Sequence, residues 1–406
     1  MTADGKKVAV VLSAGGANGA YEVGVLKALV SGRSQATDYQ PLVPDIVTGT
    51  STGAFNAAFL VSQLDAYGAA AVGNLERFWV ERLAGGLRDN GVFRLRGNPL
   101  DLLDPSSYSP NPLRPFQRLL SDSGILAWEG LQRAVHFFTS SGPLSQRLIE
   151  SFDFGAFISL EPLEQNLQEI DYRAIRSSKV WLKIAATNWA TGELRVFWNH
   201  DMTDAFGPLA VRASTAVPGI FPAAEFGSQP FVDGSVLLNT PLSLAINAGA
   251  DVLHVIYLDP QVSNLPLPRL PQAVSTLMRV NQIGWAASYH NDIAAAARIN
   301  RSLAALEKAR SQLPANSPVA ALLEDIAQAK PSPGRGPLRS VEIHCYNPVD
   351  PLGGDLSLLT FDRERIVALV ERGFQDAIAH SHEDGHDVFP GPERAAALRT
   401  APNRAA

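Results

Sequence analysis

A serine framed by glycines, Gly49-Thr50-Ser51-Thr52-Gly53, stands between a short apolar segment, Asp45-Ile46-Val47-Thr48, and a helix-compatible one, Ala54-Phe55-Asn56-Ala57-Ala58-Phe59-Leu60. In such a strand–turn–helix setting the glycines let the backbone turn sharply and leave the serine oxygen exposed above the sheet edge, placed to attack an acyl carbon. The pentapeptide alone is a weak signal in a chain with 32 glycines. Two partner motifs in chain order strengthen it: Ser13-Ala14-Gly15-Gly16-Ala17-Asn18-Gly19 upstream and Asp233-Gly234-Ser235 downstream.

A serine nucleophile needs a base and a site for the oxyanion. Backbone amides of Ala14-Gly15-Gly16-Ala17 can supply the second, since glycine admits a close approach by a substrate oxygen and the following helix points its positive end the same way. The Thr52 amide, at the start of the helix after the serine, is a further donor. For the base, a Ser-Asp-His triad would draw on His254, His290, His344 or the tail histidines. The fold that uses that chain order sets several strands before its elbow, whereas Ser51 has one strand–helix unit and its own strand. The alternative is a dyad, in which Asp233, in an Asp-Gly turn at a strand end, takes the serine proton directly. Each motif has a plainer reading: a turn serine, a turn Asp-Gly, or a dinucleotide loop. The last wants a first glycine where Ala14 stands and a carboxylate at the end of the next strand, which finishes in Val47-Thr48-Gly49.

The elements that must hold these residues follow from periodicity. Val8-Ala9-Val10-Val11-Leu12 reads as a buried parallel strand. Gly19 to Val30 reads as a helix, with Asn18 as its cap. Asp45 to Thr48 is a second strand and Ser51 to Leu64 a second helix, so the chain opens βαβα, the pattern of a sheet covered by helices. Val180 to Thr187 and Leu194 to Trp198 flank Ala190-Thr191-Gly192 as a hairpin. Phe231-Val232 and Asp251 to Leu258 are strands, with a helix at Pro241 to Ala248. Ala273 to Lys330 is alanine-rich and helical, Lys330 to Gly336 a loop, Val341 to Tyr346 a strand and Arg363 to Ala379 a helix. Residues 75–150 are less regular. Ile125, Trp128, Leu131, Val135 and Phe138 form one helical stripe there, which suits a core-facing helix, a lid or a surface that touches lipid.

In these three motifs the chain resembles the patatin-like phospholipase family. Arg212 to Pro222 looks like that family's segment before the aspartate, Ala186 to Gly192 like its hairpin, and Phe361-Asp362-Arg363-Glu364-Arg365-Ile366 with Gly373 like its closing helix. The resemblance spans roughly 7–260 and 361–379. It implies a three-layer α/β/α fold with a mainly parallel central sheet, and a serine lipid acyl hydrolase of phospholipase A or esterase type working through an acyl-serine. Carried over, Ser51 is the nucleophile, Asp233 the base, and Gly15, Gly16, Ala17, Asn18 and Gly19, with Thr52, the oxyanion and binding elements. Ala14, Asn18 and Ser235 depart from the family pattern, where a glycine, a basic residue and a Gly or Ala are usual. A lipid-binding or regulatory protein with a vestigial site, and a transacylase, are the other functions these residues allow.

Bulk properties bound the rest. The expected organisation is one domain over 1–380, comprising core motifs in 7–260, a helical insertion near 270–330 and a closing strand and helix in 341–379, with a polar tail over 381–406. Apolar residues are 46% and charged residues 18%, a globular composition. The net charge of −6 gives no basis for nucleic-acid binding. One cysteine, Cys345, rules out an internal disulfide and reads as a packed strand residue. The tail histidines His380, His382 and His386 read as a solvated terminus rather than a metal site. No metal or organic cofactor is expected, and the expected partner is a lipid or other acyl ester, with peripheral contact to a membrane surface compatible. No cleaved leader or run of 18 apolar residues is read, so the expected compartment is the cytoplasm.

Overall fold

Five apolar residues buried on both faces, Val8–Leu12, form β1 at the middle of the molecule. Alternate side chains face opposite layers, as the twofold repeat of a strand requires. The computed structural model describes residues 5–86, 88–96, 158–260, 273–314, 317–328, 338–354 and 357–380. Helices and strands are numbered over these residues. The stripe from Ile125 to Phe138, the 330–336 loop and the tail beyond His380 lie outside them.

After β1 the chain forms α1 (Ala20–Val30), β2 (Ile46–Thr50), α2 (Thr52–Tyr67) and α3 (Ala70–Phe78). Two-residue strands β3 (Arg94–Leu95) and β4 (Ile158–Ser159) pair by themselves. Next come helices α4 (Glu161–Leu167) and α5 (Tyr172–Ser177), then strands β5 (Trp181–Asn188) and β6 (Leu194–Trp198). Helix α6 (Gly207–Ser214) precedes β7 (Ala224–Phe226) and β8 (Gln229–Asp233). The chain then forms α7 (Leu242–Asn247), β9 (Val252–Ile256), α8 (Ala273–Ser311), α9 (Pro318–Gln328), β10 (Glu342–Tyr346) and α10 (Arg363–Ala379).

Eight strands make one sheet in the order β10-β9-β1-β2-β5-β8-β7, with β6 also on β5. The run from β10 to β5 is parallel, and the β5, β6, β7, β8 end is antiparallel. Val8, Val10 and Leu12 join the core beneath α1, α2, α3 and α10, while Ala9 and Val11 join a second core with α7 and the Tyr289, Ile293 and Ala296 stripe of α8. Full burial of each large aliphatic side chain stabilises the fold by about 2 kcal/mol. This is the three-layer α/β/α arrangement expected from sequence. Among the described residues no helix is long and apolar enough to cross a membrane. Cys345 lies on β10, and desolvation pushes its thiol up to about 11, far from a reactive thiolate.

Candidate active site

β2 ends at Thr50 and α2 begins at Thr52, so Ser51 alone makes the turn. Its backbone sits at φ 55°, ψ −123°. A non-glycine residue held there is strained by on the order of 1–3 kcal/mol, and such strain persists only where neighbours enforce it. Here the Ser51 N–H donates to Ser214 Oγ at 2.9 Å, and the Ser214 hydroxyl donates to the Ala185 carbonyl at 2.6 Å. The Ser51 carbonyl accepts the Ala54 and Phe55 amides. Gly53 allows the elbow to lie directly on the end of β1, since a Cβ there would stand 2.5 Å from the Leu12 carbonyl oxygen.

Asp233 reaches the same place through a division of labour on β5. Along one edge, Trp181 to Ala185 pairs in parallel with Ile46 to Thr50. Further along that edge, Ala186 to Asn188 pairs antiparallel with Asp233 to Phe231. The opposite edge is taken by β6. The last residues of β2 and β8, Thr50 and Asp233, are thus partnered by adjacent residues, Ala185 and Ala186. This puts Ser51 and Asp233 at the lining of one cavity.

The Asp233 carboxyl is fully buried. Oδ1 accepts the Ser235 amide at 2.8 Å, and Oδ2 has no partner at full hydrogen-bonding geometry. Burial raises its pKa from 3.8 to about 6. The adjacent Ser51 hydroxyl, then the Ser235 amide and hydroxyl, pull it back toward the ionised form. A carboxylate with one oxygen anchored and the other open toward a serine can accept a proton, and apo geometry of such pairs is often loose.

The glycine loop divides in two. Gly15, Gly16 and Thr52 line the cavity beside Ser51, whereas Ala17, Asn18 and Gly19 form a buried turn behind it. The Gly15 and Gly16 amides meet no acceptor among the described residues. Gly16 stands at φ 57°, and a Cβ there would lie 2.2 Å from the Leu358 carbonyl oxygen. Two expectations are corrected. Ala14 lines the site but its N–H is spent on the Asn239 carbonyl at 3.1 Å, so it is no oxyanion donor. Asn18 does not cap α1: the residue before that helix is Gly19, with no side-chain cap, and Asn18 Oδ1 accepts the Arg365 guanidinium at 2.5 Å instead. Arg365 also donates to the Thr360 and Leu352 carbonyls, which ties the loop to α10.

Sequence reading missed the polar network beneath the loop. Glu22 of α1 is fully buried; its Oε1 accepts the Ser13 amide at 2.7 Å and its Oε2 the Asn56 side-chain amide at 2.8 Å. Asn56 also donates to the Gly19 carbonyl at 3.1 Å and accepts the Trp79 indole N–H at 2.8 Å. Both ends of the glycine loop therefore converge on two side chains. Burial drives the Glu22 pKa well above the carboxylate range, against the Asn56 and Ser13 bonds that lower it. The available signal was a single acid in the first turn of a helix whose one other charged residue is Lys27 in its last turn. Replacing Glu22 by Ala leaves two buried donors unpaired and a small void, with an expected loss of about 3 kcal/mol in denaturant unfolding and lowered esterase kcat.

The histidines lie elsewhere. His254 and His344 stack on β9 and β10 at 4.9 Å, and His254 Nδ1 meets the Tyr346 hydroxyl at 2.9 Å. Among the described residues no histidine lines the cavity that holds Ser51 and Asp233. That cavity has a volume of about 460 Å³, ample for a small ligand. Its depth is apolar, built by Phe55, Trp79, Leu83, Val92, Phe221 and Phe361, and its mouth carries Trp189 and Val236, exposed by 61% and 49%.

A strained serine elbow at a sheet end, a buried carboxyl and a glycine loop thus line one apolar cavity. The patatin-like phospholipase family model matches residues 10–246, more than half of the chain. The chain belongs to that family of lipid acyl hydrolases. Among solved structures, VipD from Legionella pneumophila is similar at 14% identity and a TM-score of 0.36, with 92% of this chain and 66% of that chain covered. This chain thus spans just under two thirds of that protein's length.

Proposed function

We propose that the protein is a serine lipid acyl hydrolase that works through a Ser51–Asp233 dyad, with the Gly15 and Gly16 amides as the oxyanion hole and the Thr52 amide at the α2 N-terminus assisting. The observation that carries this reading is the junction on β5, which brings the ends of β2 and β8 together beside two uncommitted amides. Ser51 Oγ attacks the ester carbonyl as Asp233 takes its proton. Collapse of the tetrahedral intermediate breaks the carbon–oxygen bond to the alcohol, which leaves with that proton. Asp233 then removes a proton from water, the hydroxide attacks the acyl-serine, and the proton returns to Ser51 as the carboxylic acid departs. The acyl chain lies in the apolar depth of the cavity. The exposed Trp189 and Val236 rim faces the lipid surface that presents the ester.

Residues 1–380 are proposed to act as one catalytic unit, because β9 and β10 complete the sheet that carries the elbow and Leu258 and Leu358 pack on the glycine loop. Incubation with a fluorophosphonate, followed by peptide mass spectrometry, is expected to place the adduct on Ser51. A folded chain that takes no label would instead be a binding protein with a vestigial site, and the reading would fall.

A further inference from the structure

Helix α8 lies wholly beyond the family-matched segment, yet it reaches the site. Its anchor is a stripe at helical spacing. Tyr289, Ile293 and Ala296 are buried against the second face of the sheet, with the Tyr289 ring stacked on Tyr257 at 4.3 Å. One turn toward its N-terminus the same helix carries Trp285, and a further turn back Asn281. Both line the cavity and both are partly exposed. The Trp285 indole N–H donates to the Ser235 carbonyl at 3.0 Å. That residue is also the one whose amide holds Asp233 Oδ1.

We infer that Trp285 and Asn281 form a specificity wall for the alcohol portion of the ester, resting on the dyad reading above. The geometry assigns the side. The acyl half is accounted for by Phe55 of α2, by Trp79, Leu83 and Val92 after α3 and by Phe361 before α10, all buried, whereas the partly exposed Trp285 and Asn281 share the mouth with the exposed Trp189 and Val236. A substrate whose carbonyl sits between Ser51 and the Gly15 and Gly16 amides, with its chain directed inward, must project its alkoxy group toward this mouth. Trp285 offers a flat apolar face, held at fixed distance from Asp233 by its bond to Ser235. Asn281, four residues earlier on the same face, offers an amide to a polar alcohol.

Two ester series separate this wall from the acyl pocket: one fatty acid joined to alcohols of rising bulk, from glycerol through p-nitrophenol to glycerophosphocholine, and one alcohol joined to acyl chains of rising length. Trp285→Ala is expected to raise the kcat/KM ratio of the bulkiest to the smallest alcohol ester about tenfold, as one large side chain in a pocket does. The order of preference within the acyl series should stay as it is. Trp285→Phe, which keeps a ring and loses the tether, should retain the alcohol preference. If Trp285→Ala does not fold, Asn281→Trp narrows the mouth from the neighbouring turn and should lower the same ratio about tenfold. A change confined to the acyl series, or no change in either while Ser51 still takes a fluorophosphonate, overturns the inference. Loss of labelling in the unmodified protein would instead overturn the dyad reading.

Discussion

Ser51→Ala is expected to lower kcat for p-nitrophenyl ester hydrolysis by about 10⁴-fold or more, the scale seen when a nucleophile is removed from a unit of coupled catalytic groups. The substitution deletes one oxygen and keeps the elbow. Alanine carries the same Cβ as serine, so the left-handed backbone at φ 55° stays equally strained. Its unfolding midpoint should therefore match that of the unmodified protein. Ser51→Gly makes the complementary case. Glycine adopts the conformation freely, so that variant should be equally inactive and more stable by about 1 kcal/mol in denaturant unfolding. Substantial activity in a folded Ser51→Ala protein would remove Ser51 from the reaction.

The second large effect concerns Asp233, where activity and stability should move in opposite directions. Asp233→Asn removes the proposed base and should lower kcat by several orders of magnitude. The carboxyl has a folded pKa of about 6 against an ordinary 3.8, through burial. The folded chain therefore holds its proton more tightly than the unfolded chain, and stability falls as pH rises through that window, levelling above it. A displacement of about two pH units corresponds to roughly 3 kcal/mol. The substituted amide has no charge to desolvate. The variant should be more stable than the unmodified protein by up to about 3 kcal/mol at pH 7, with the gap closing toward about pH 3.5. A gap that does not depend on pH would show that Asp233 is not the desolvated group. The same pKa sets the rate profile, in which kcat/KM should rise with pH through about 6 as the base ionises.

Much of the candidate site was legible because its proposed reacting groups come with local backbone demands. The elbow needs glycines at fixed offsets around Ser51, the loop needs Gly16, and the proposed base sits in an Asp-Gly turn. Each leaves a trace within a few residues. The strands were legible as apolar runs, and Asp362 marks the start of α10, where its side chain accepts the Arg365 amide at 3.0 Å. What could not be read are groups whose role depends on a distant partner. Glu22 in the first turn of α1 looks like an acid placed for the helix dipole, yet it is buried under Ser13 and Asn56. Asn56 looks like a polar interruption in an apolar helix and proves to join Glu22, Gly19 and Trp79. Asn18 sits where a cap would stand and is diverted by an arginine from the far end of the chain. The two-partner edge of β5 is a property of register, which no segment carries by itself.

The order in which the sheet closes has a consequence for biosynthesis. β1 becomes a central strand only when β9 lies beside it, pairing Val8 with Val252, and the loop after β1 takes its shape against Leu258 and Leu358. A nascent chain that has emerged as far as the end of the family-matched segment holds both proposed reacting residues but has an open edge where β9 belongs. Contacts this remote in sequence close late. The nascent chain should therefore stay inert toward lipid until β9 and β10 leave the ribosome, and before then β1 presents an unpaired strand edge open to mispairing.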